Sequence, residues 1–216
     1  MAPSTDRLTE RQEARRQRIL DAAYQLVTEG SYELVQMRDV ARLADVAPRT
    51  VYHYFSSKDH LVAAAVAQWT SRFTARGGVR PPKKDTNAGR LIAAMHQRAL
   101  TLERYPHVAK ALLYARASPD PAAMECSRDS SAAVEATFHA ALAGLPDEQR
   151  VKIVRVVGAV WGSWLADWVH GHASMGAVLE AIDEAVHLVV DPIDEREALS
   201  DDSLGICAAG DVIALS

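Results

Sequence analysis

The sequence predicts an all-α chain, a three-helix N-terminal head followed by a helical bundle, and three observations carry that expectation. Apolar residues recur at intervals of three and four along most of the chain, and no stretch shows the alternation of a half-buried strand. Aromatic residues are only 6% of the total while alanine is abundant, which favours helices. The breaks between apolar stripes fall at a small number of glycines and prolines. With 216 residues, 49% of them apolar, the chain can bury a sizeable core in one large domain or two small ones.

The elements follow in order. Residues 1–8 read as a flexible arm. Thr9 followed by Gln12 fits a capping box and opens a helix to about Glu29, with Ile19, Ala22, Ala23, Leu26 and Val27 as its stripe and Gly30 as its stop. Arg11, Arg15, Arg16 and Arg18 lie near its start, where they suit a solvated face and phosphate contact equally well. Ser31 to Val35 is a connection. A short helix then runs from Met37 to about Ala44, with Met37, Val40, Ala41 and Ala44 on one face. After a break at Asp45-Val46-Ala47, a second runs from Pro48 to about Phe55. Pro48 suits a first helical position, where its missing N–H has no partner to lose.

Two short helices joined by so tight a turn are the skeleton of a helix-turn-helix, whose second helix enters the DNA major groove. That second helix crowds Arg49, Thr50, Tyr52, His53 and Tyr54 into six positions and leaves Val51 and Phe55 as buried anchors. Periodicity by itself also allows an ordinary surface helix in an all-α domain. The string DVAPRTVYHYFSSKDHL, however, resembles the signature of the TetR family of bacterial regulators. Thr50, Val51, Tyr52, Tyr54, Phe55, Lys58 and Leu61 match it. Asp45 stands where glycine is usual, and Asp tolerates the left-handed turn conformation better than most residues. Ala47 stands where a capping serine is usual, a loss of ~1 kcal/mol.

The resemblance implies phosphate contacts from Thr50, Tyr52, Tyr54 and Lys58. Hydroxyls and an ammonium at a groove edge fit that role. Arg49 and His53 are the candidates for base edges, since Arg spans guanine O6 and N7 and His53 fills the variable position of the motif. Arg38 can reach a phosphate or a base. Tyr52 is as readily a packing residue. The first 60 residues carry nine basic and nine acidic side chains, so a DNA-facing patch has to come from arrangement rather than excess charge.

Ser56 and Ser57 are expected to cap a fourth helix reaching about Thr74, with Asp59 in its first turn and Leu61, Val62, Ala65 and Val66 along it. Residues 76–89 read as a loop. From Ala88 the sequence is helical to about Val190. Pro106, Ser118-Pro119, Gly144-Pro146 and the segment before Ser174 punctuate it. The partition is a DNA-binding domain at 1–60, a ligand-binding and dimerisation domain at 61–190, and a poorly ordered tail at 191–216. From Asp191 onward seven acidic residues face one basic residue, so the formal charge of −4 becomes +2 over residues 1–190.

Leu91, Met95, Leu112, Met124, Phe138 and Trp161 or Trp164 are the candidate wall of an effector cavity, with His96 and Tyr114 as polar contacts. Such an aromatic stripe also suits a plain core. Gly158 and Gly162 lie between Trp161, Trp164 and Trp168, and small residues let a second helix approach closely. The resemblance implies a homodimer joined through the last two helices, with Gly162, Leu165, Trp168, Leu179, Ile182 and Val186 at the interface.

The segments GSYELVQMRDVARLADV and LIAAMHQRAL are also similar to actinobacterial repressors of steroid degradation, which implies a steroid or its CoA thioester as effector. The whole reads as a repressor that binds a roughly palindromic double-stranded operator and leaves it when a small apolar ligand binds. No cofactor or metal is expected. The alternative is an all-α enzyme or lipid carrier using the apolar cavity. No phosphate loop, HExxH or nucleophile elbow supports it. Glu184/His187 and Asp167/His170 have the ExxH-like spacing of bundle metal ligands, but the two histidines fall ~20 Å apart along antiparallel helices. Cys126 and Cys207 make no disulfide framework. There is neither a signal-peptide pattern nor an apolar run of ~18 residues, so a cytoplasmic location is expected.

Overall fold

Thr9 and Gln12 exchange both bonds of a capping box, Thr9 N–H donating to Gln12 Oε1 at 2.7 Å and Gln12 N–H to Thr9 Oγ1 at 3.3 Å. They open α1 (Glu10–Glu29), the first of nine helices among the described residues of this computed structural model. Those residues are 9–30, 32–75 and 86–208. The expected arm at 1–8, Ser31 of the first connection, residues 76–85 of the expected loop and the end of the tail at 209–216 lie outside them. Gly30 closes α1 with an extended backbone, not the left-handed one expected of a stop glycine, its N–H donating to Leu26 O at 3.0 Å.

The connection to the next helix is a 3₁₀ turn, Tyr32–Leu34, with the Tyr32 ring buried. Next come α2 (Met37–Leu43) and α3 (Pro48–Tyr54). Asp45 between them has φ +52°, the one non-glycine residue in the left-handed region among the described residues, the conformation expected where glycine is usual. Ala47 offers α3 no side-chain cap. Ser57 Oγ accepts the His60 N–H at 3.0 Å and starts α4 (Lys58–Ala75).

Beyond residue 86 come α5 (Asn87–Arg104), α6 (Pro106–Ala117), α7 (Pro121–Ala141), α8 (Asp147–Val169) and α9 (Met175–Ala208). Prolines occupy the first positions of α6 and α7. Gly171, at φ +79°, takes the turn after α8.

Two compact units emerge. One comprises α1 to α4 together with residues 101–134, and the other comprises residues 87–100 together with 135 onward. The first does not follow the expected boundary at residue 60. α4 packs on both α1 and α6, and Val108 and Ala111 of α6 share one apolar cluster with Ile19, Val51, Phe55 and Leu61. In the second unit α8 packs against α9.

α9 does not end near Val190 but continues past Pro192, which has no N–H to offer the preceding turn. Asp194, just beyond, accepts the Asn87 side-chain N–H at 2.6 Å and the Ala88 backbone N–H at 3.5 Å. That puts a carboxylate at the positive end of α5 and holds the helix beyond the proline.

Candidate nucleic-acid interface

α3 is built to face two ways. Val51 and Phe55, one turn apart, are buried in the apolar cluster of the head. The helix is thereby fixed with Arg49, Tyr52 and His53 exposed on the opposite side and Thr50 and Tyr54 half-buried at its flanks. Tyr52 is 58% exposed, so most of its side chain is open on this face. The His53 ring meets Tyr54 edge-on at 5.3 Å, and Tyr54 in turn packs against the cluster. Arg38 is exposed at the start of α2.

Lys58 is placed differently from a free surface lysine. Its ammonium lies 4.2 Å from the Tyr32 ring centre and donates to the Tyr32 carbonyl oxygen at 3.4 Å. On α1, Arg11, Arg15 and Arg18 are exposed. Arg16 pairs with Glu13 at 3.6 Å and covers the Phe55 ring at 5.7 Å.

Behind α3 lies a polar junction that the sequence did not reveal. The Asp59 carboxylate accepts from the Tyr32 hydroxyl and, at 2.6 Å, from the Ser118 hydroxyl. Asp120 accepts from the hydroxyls of Ser57 and, at 2.9 Å, of Ser56. The two hydroxyls hold the Asp120 carboxyl down at about 2. Burial, followed by the bond to Asp59, pushes the Tyr32 phenol well above its ordinary range. The His60 ring accepts the Ser56 N–H at 3.1 Å, and burial lowers its pKa. Tyr32 stacks on Tyr114 at 4.8 Å with the planes 8° apart. Tyr114 is therefore a partner of the head in the first unit.

The residues of the expected effector wall are divided between the two units. Leu91, Met95 and Phe138 are buried in the second unit, where Trp161 and Trp164 are half-buried. Leu112 packs on the apolar cluster of the head, and Met124 is exposed. His96 pairs with Asp183 at 2.5 Å. Arg98, which the sequence reading passed over, is 5% exposed on α5 one turn from Met95 and Leu102, and burial lowers its pKa to about 10. An arginine spaced into an apolar stripe was the available signal.

The expected interface residues are likewise divided. Leu165, Ile182 and Val186 are buried within the chain itself and offer no side-chain surface to a second copy. Gly162, Trp168 and Leu179 are half-buried. His170 and His187 turn to neighbours on their own helices, the Ala166 carbonyl at 2.7 Å and Asp191 at 2.9 Å. Among the described residues no group of three or more His, Cys, Asp or Glu could hold a metal, and no helix is long and apolar enough to cross a membrane.

Comparison with known proteins agrees with this architecture along most of its length. The profile described as "Bacterial regulatory proteins, tetR family" matches residues 19–65, and "Tetracyclin repressor-like, C-terminal domain" matches residues 85–189. The HTH-type transcriptional repressor KstR of Mycobacterium tuberculosis is 35% identical over 84% of this chain and 83% of its own. The protein of the same name from Mycolicibacterium smegmatis is 36% identical over 84% and 90%. A crystal structure of a TetR transcriptional regulator from Rhodococcus sp. RHA1 superposes with a TM-score of 0.72 at 27% identity, covering 83% of this chain and 97% of that one. The chain belongs to the TetR family of bacterial regulatory proteins.

Proposed function

We propose that the protein is a homodimeric, cytoplasmic repressor that reads a roughly palindromic operator through α3 and leaves it when a small apolar effector binds. The observation that carries the reading is the two-faced α3. Burial of Val51 and Phe55 leaves Arg49, Tyr52 and His53 as the exposed side of a short helix preceded by a tight turn. In the proposed complex Arg49 and His53 meet base edges, while Arg38, Thr50, Tyr52, Tyr54 and Lys58 hold phosphates. The alignment to named repressors over 84% of the chain, body as well as head, supports the repressor reading.

A second copy is supported by two glycines. A Cβ at Gly158 or Gly162 would meet nothing within 4 Å in this chain. Each glycine costs a helix interior about 1 kcal/mol relative to alanine, so packing within the chain gives no reason for either. Close approach of a partner helix gives one. The half-buried Trp168 and Leu179 belong to the same proposed seam.

For the effector, Leu91, Met95, Phe138, Trp161 and Trp164 of the second unit remain the proposed contacts, and the resemblance to repressors of steroid degradation favours a steroid or its CoA thioester. Fluorescence anisotropy on the DNA upstream of the gene tests both parts. Nanomolar binding is expected, with release by a steroid-acid CoA thioester and none by free CoA. Failure to bind that DNA above the level of unrelated DNA would overturn the reading.

A further inference from the structure

The corner between α6 and α7 and the turn between α3 and α4 exchange hydrogen bonds in both directions. Asp120 Oδ2 accepts from the hydroxyls of Ser56 and Ser57, which directly follow the reading helix. In the reverse sense, the Ser118 hydroxyl donates to Asp59, and the same oxygen of Ser118 accepts the Asp120 N–H at 3.2 Å. The other oxygen of Asp120 accepts the Ala122 N–H at 2.9 Å and caps α7. One carboxylate therefore bonds the first turn of α7 with one oxygen and the end of the α3 segment with the other.

We propose that Asp120 is a positioning residue for DNA reading, a latch that sets the pitch of α3 from the N-terminus of α7 through Ser56 and Ser57. α3 is only seven residues long and has no side-chain cap at Ala47. Its own ends supply little rigidity, and its orientation is fixed by Val51 and Phe55 on one side and by whatever holds the following turn. Hydrogen bonds to an ionised carboxylate are about twice as strong as neutral ones, and two of them converge here. The latch bears on base reading more than on phosphate attraction. A small rotation of α3 moves Arg49 and His53 off the base edges, whereas flexible cationic side chains still reach a phosphate. The inference rests on the DNA-reading role proposed for α3.

The test uses the full-length protein. Asp120→Ser retains a capping side chain for α7 and is too short to reach the serine pair. Ser56→Ala/Ser57→Ala removes the donors and leaves the α7 cap, and the combined variant completes a double-mutant cycle in which any loss from the α4 cap cancels. Asp120→Ser is expected to lower operator affinity about ten-fold while binding to unrelated DNA stays within about two-fold, narrowing the ratio between them. In the Ser56→Ala/Ser57→Ala background the Asp120 substitution is expected to change nothing further. Hydrogen exchange of the amides of residues 54–60, measured without DNA, is expected to accelerate in Asp120→Ser. An unchanged ratio, an equal loss in both backgrounds, or unchanged exchange would each overturn the latch. A wild-type protein that binds no operator sinks the reading of α3 instead, and exchange still decides whether Asp120 holds the turn.

Discussion

The Lys58 ammonium rests 4.2 Å above the centre of the Tyr32 ring and donates to the carbonyl oxygen of the same residue. A lysine at the mouth of a DNA-reading head is thereby held before any phosphate arrives, by a contact of about 0.5–1 kcal/mol. Less side-chain freedom remains to be lost on binding. Lys58→Ala is expected to weaken binding to all DNA sequences alike and to reduce the slope of log affinity against log salt by about one. Anisotropy titrations at several salt concentrations check this, and an unchanged slope removes Lys58 from the phosphate contacts.

Arg49 differs in kind, being exposed on the open face of α3. Arg49→Ala is expected to cost about 1–3 kcal/mol and to relax preference at one base position in each half-site. Binding to a library of single-base operator variants reads this out. Uniform weakening across the library would make Arg49 a backbone contact.

The seam calls for a substitution that the single chain does not feel. Ile182 is fully buried in its own chain, so Ile182→Asp is expected to lose helix content along with self-association and cannot separate the two. Gly162→Leu is expected to weaken self-association with helix content preserved, because a Cβ there meets nothing in this chain. Sedimentation paired with circular dichroism makes the comparison. A Gly162→Leu protein that remains as dimeric as the wild type would move the seam elsewhere.

Acid sensitivity follows from His60. Burial lowers its pKa from 6.5, assisted by Arg16 and opposed by Asp120 and Glu125. Below pH 6.5 the unfolded chain therefore binds more protons than the folded one, and stability falls as the pH drops through that range. His60→Gln is expected to flatten the pH dependence of the melting temperature between about pH 7 and pH 5, since glutamine does not titrate there. Melting curves of both proteins across that range show whether the difference exists.

The head was legible because its information is local. Val51 and Phe55 on one side of α3, the Thr9/Gln12 box and the Ser57 cap each depend on residues within four positions of one another. Distant partners were not legible. Helical spacing marked Ile182 and Val186 as an apolar stripe, but a stripe does not say whether its own chain or a second copy covers it, and both side chains are buried within the chain itself. Tyr114 looked like a polar group beside an apolar face, and its partner Tyr32 lies on a 3₁₀ turn far back in the chain. Nothing in the residues around Asp120 points to serines 63 and 64 positions earlier. α9 was expected to stop near Val190, and Asp194 beyond it is bonded to the start of α5, more than 100 positions earlier.

Regulators of this kind are often pictured as interchangeable parts, a reading head to be cut from one sensor and grafted onto another. The apolar cluster of this head argues for a different cut. Val108 and Ala111 on α6 share it with Val51 and Phe55. A graft joined at residue 60 would expose those two alanine- and valine-sized sockets to a foreign helix and leave Ser56 and Ser57 without Asp120. The portable piece is discontinuous: α1 to α4 travel with residues 101–134. Hybrids that carry both segments are the ones expected to retain the donor's operator preference.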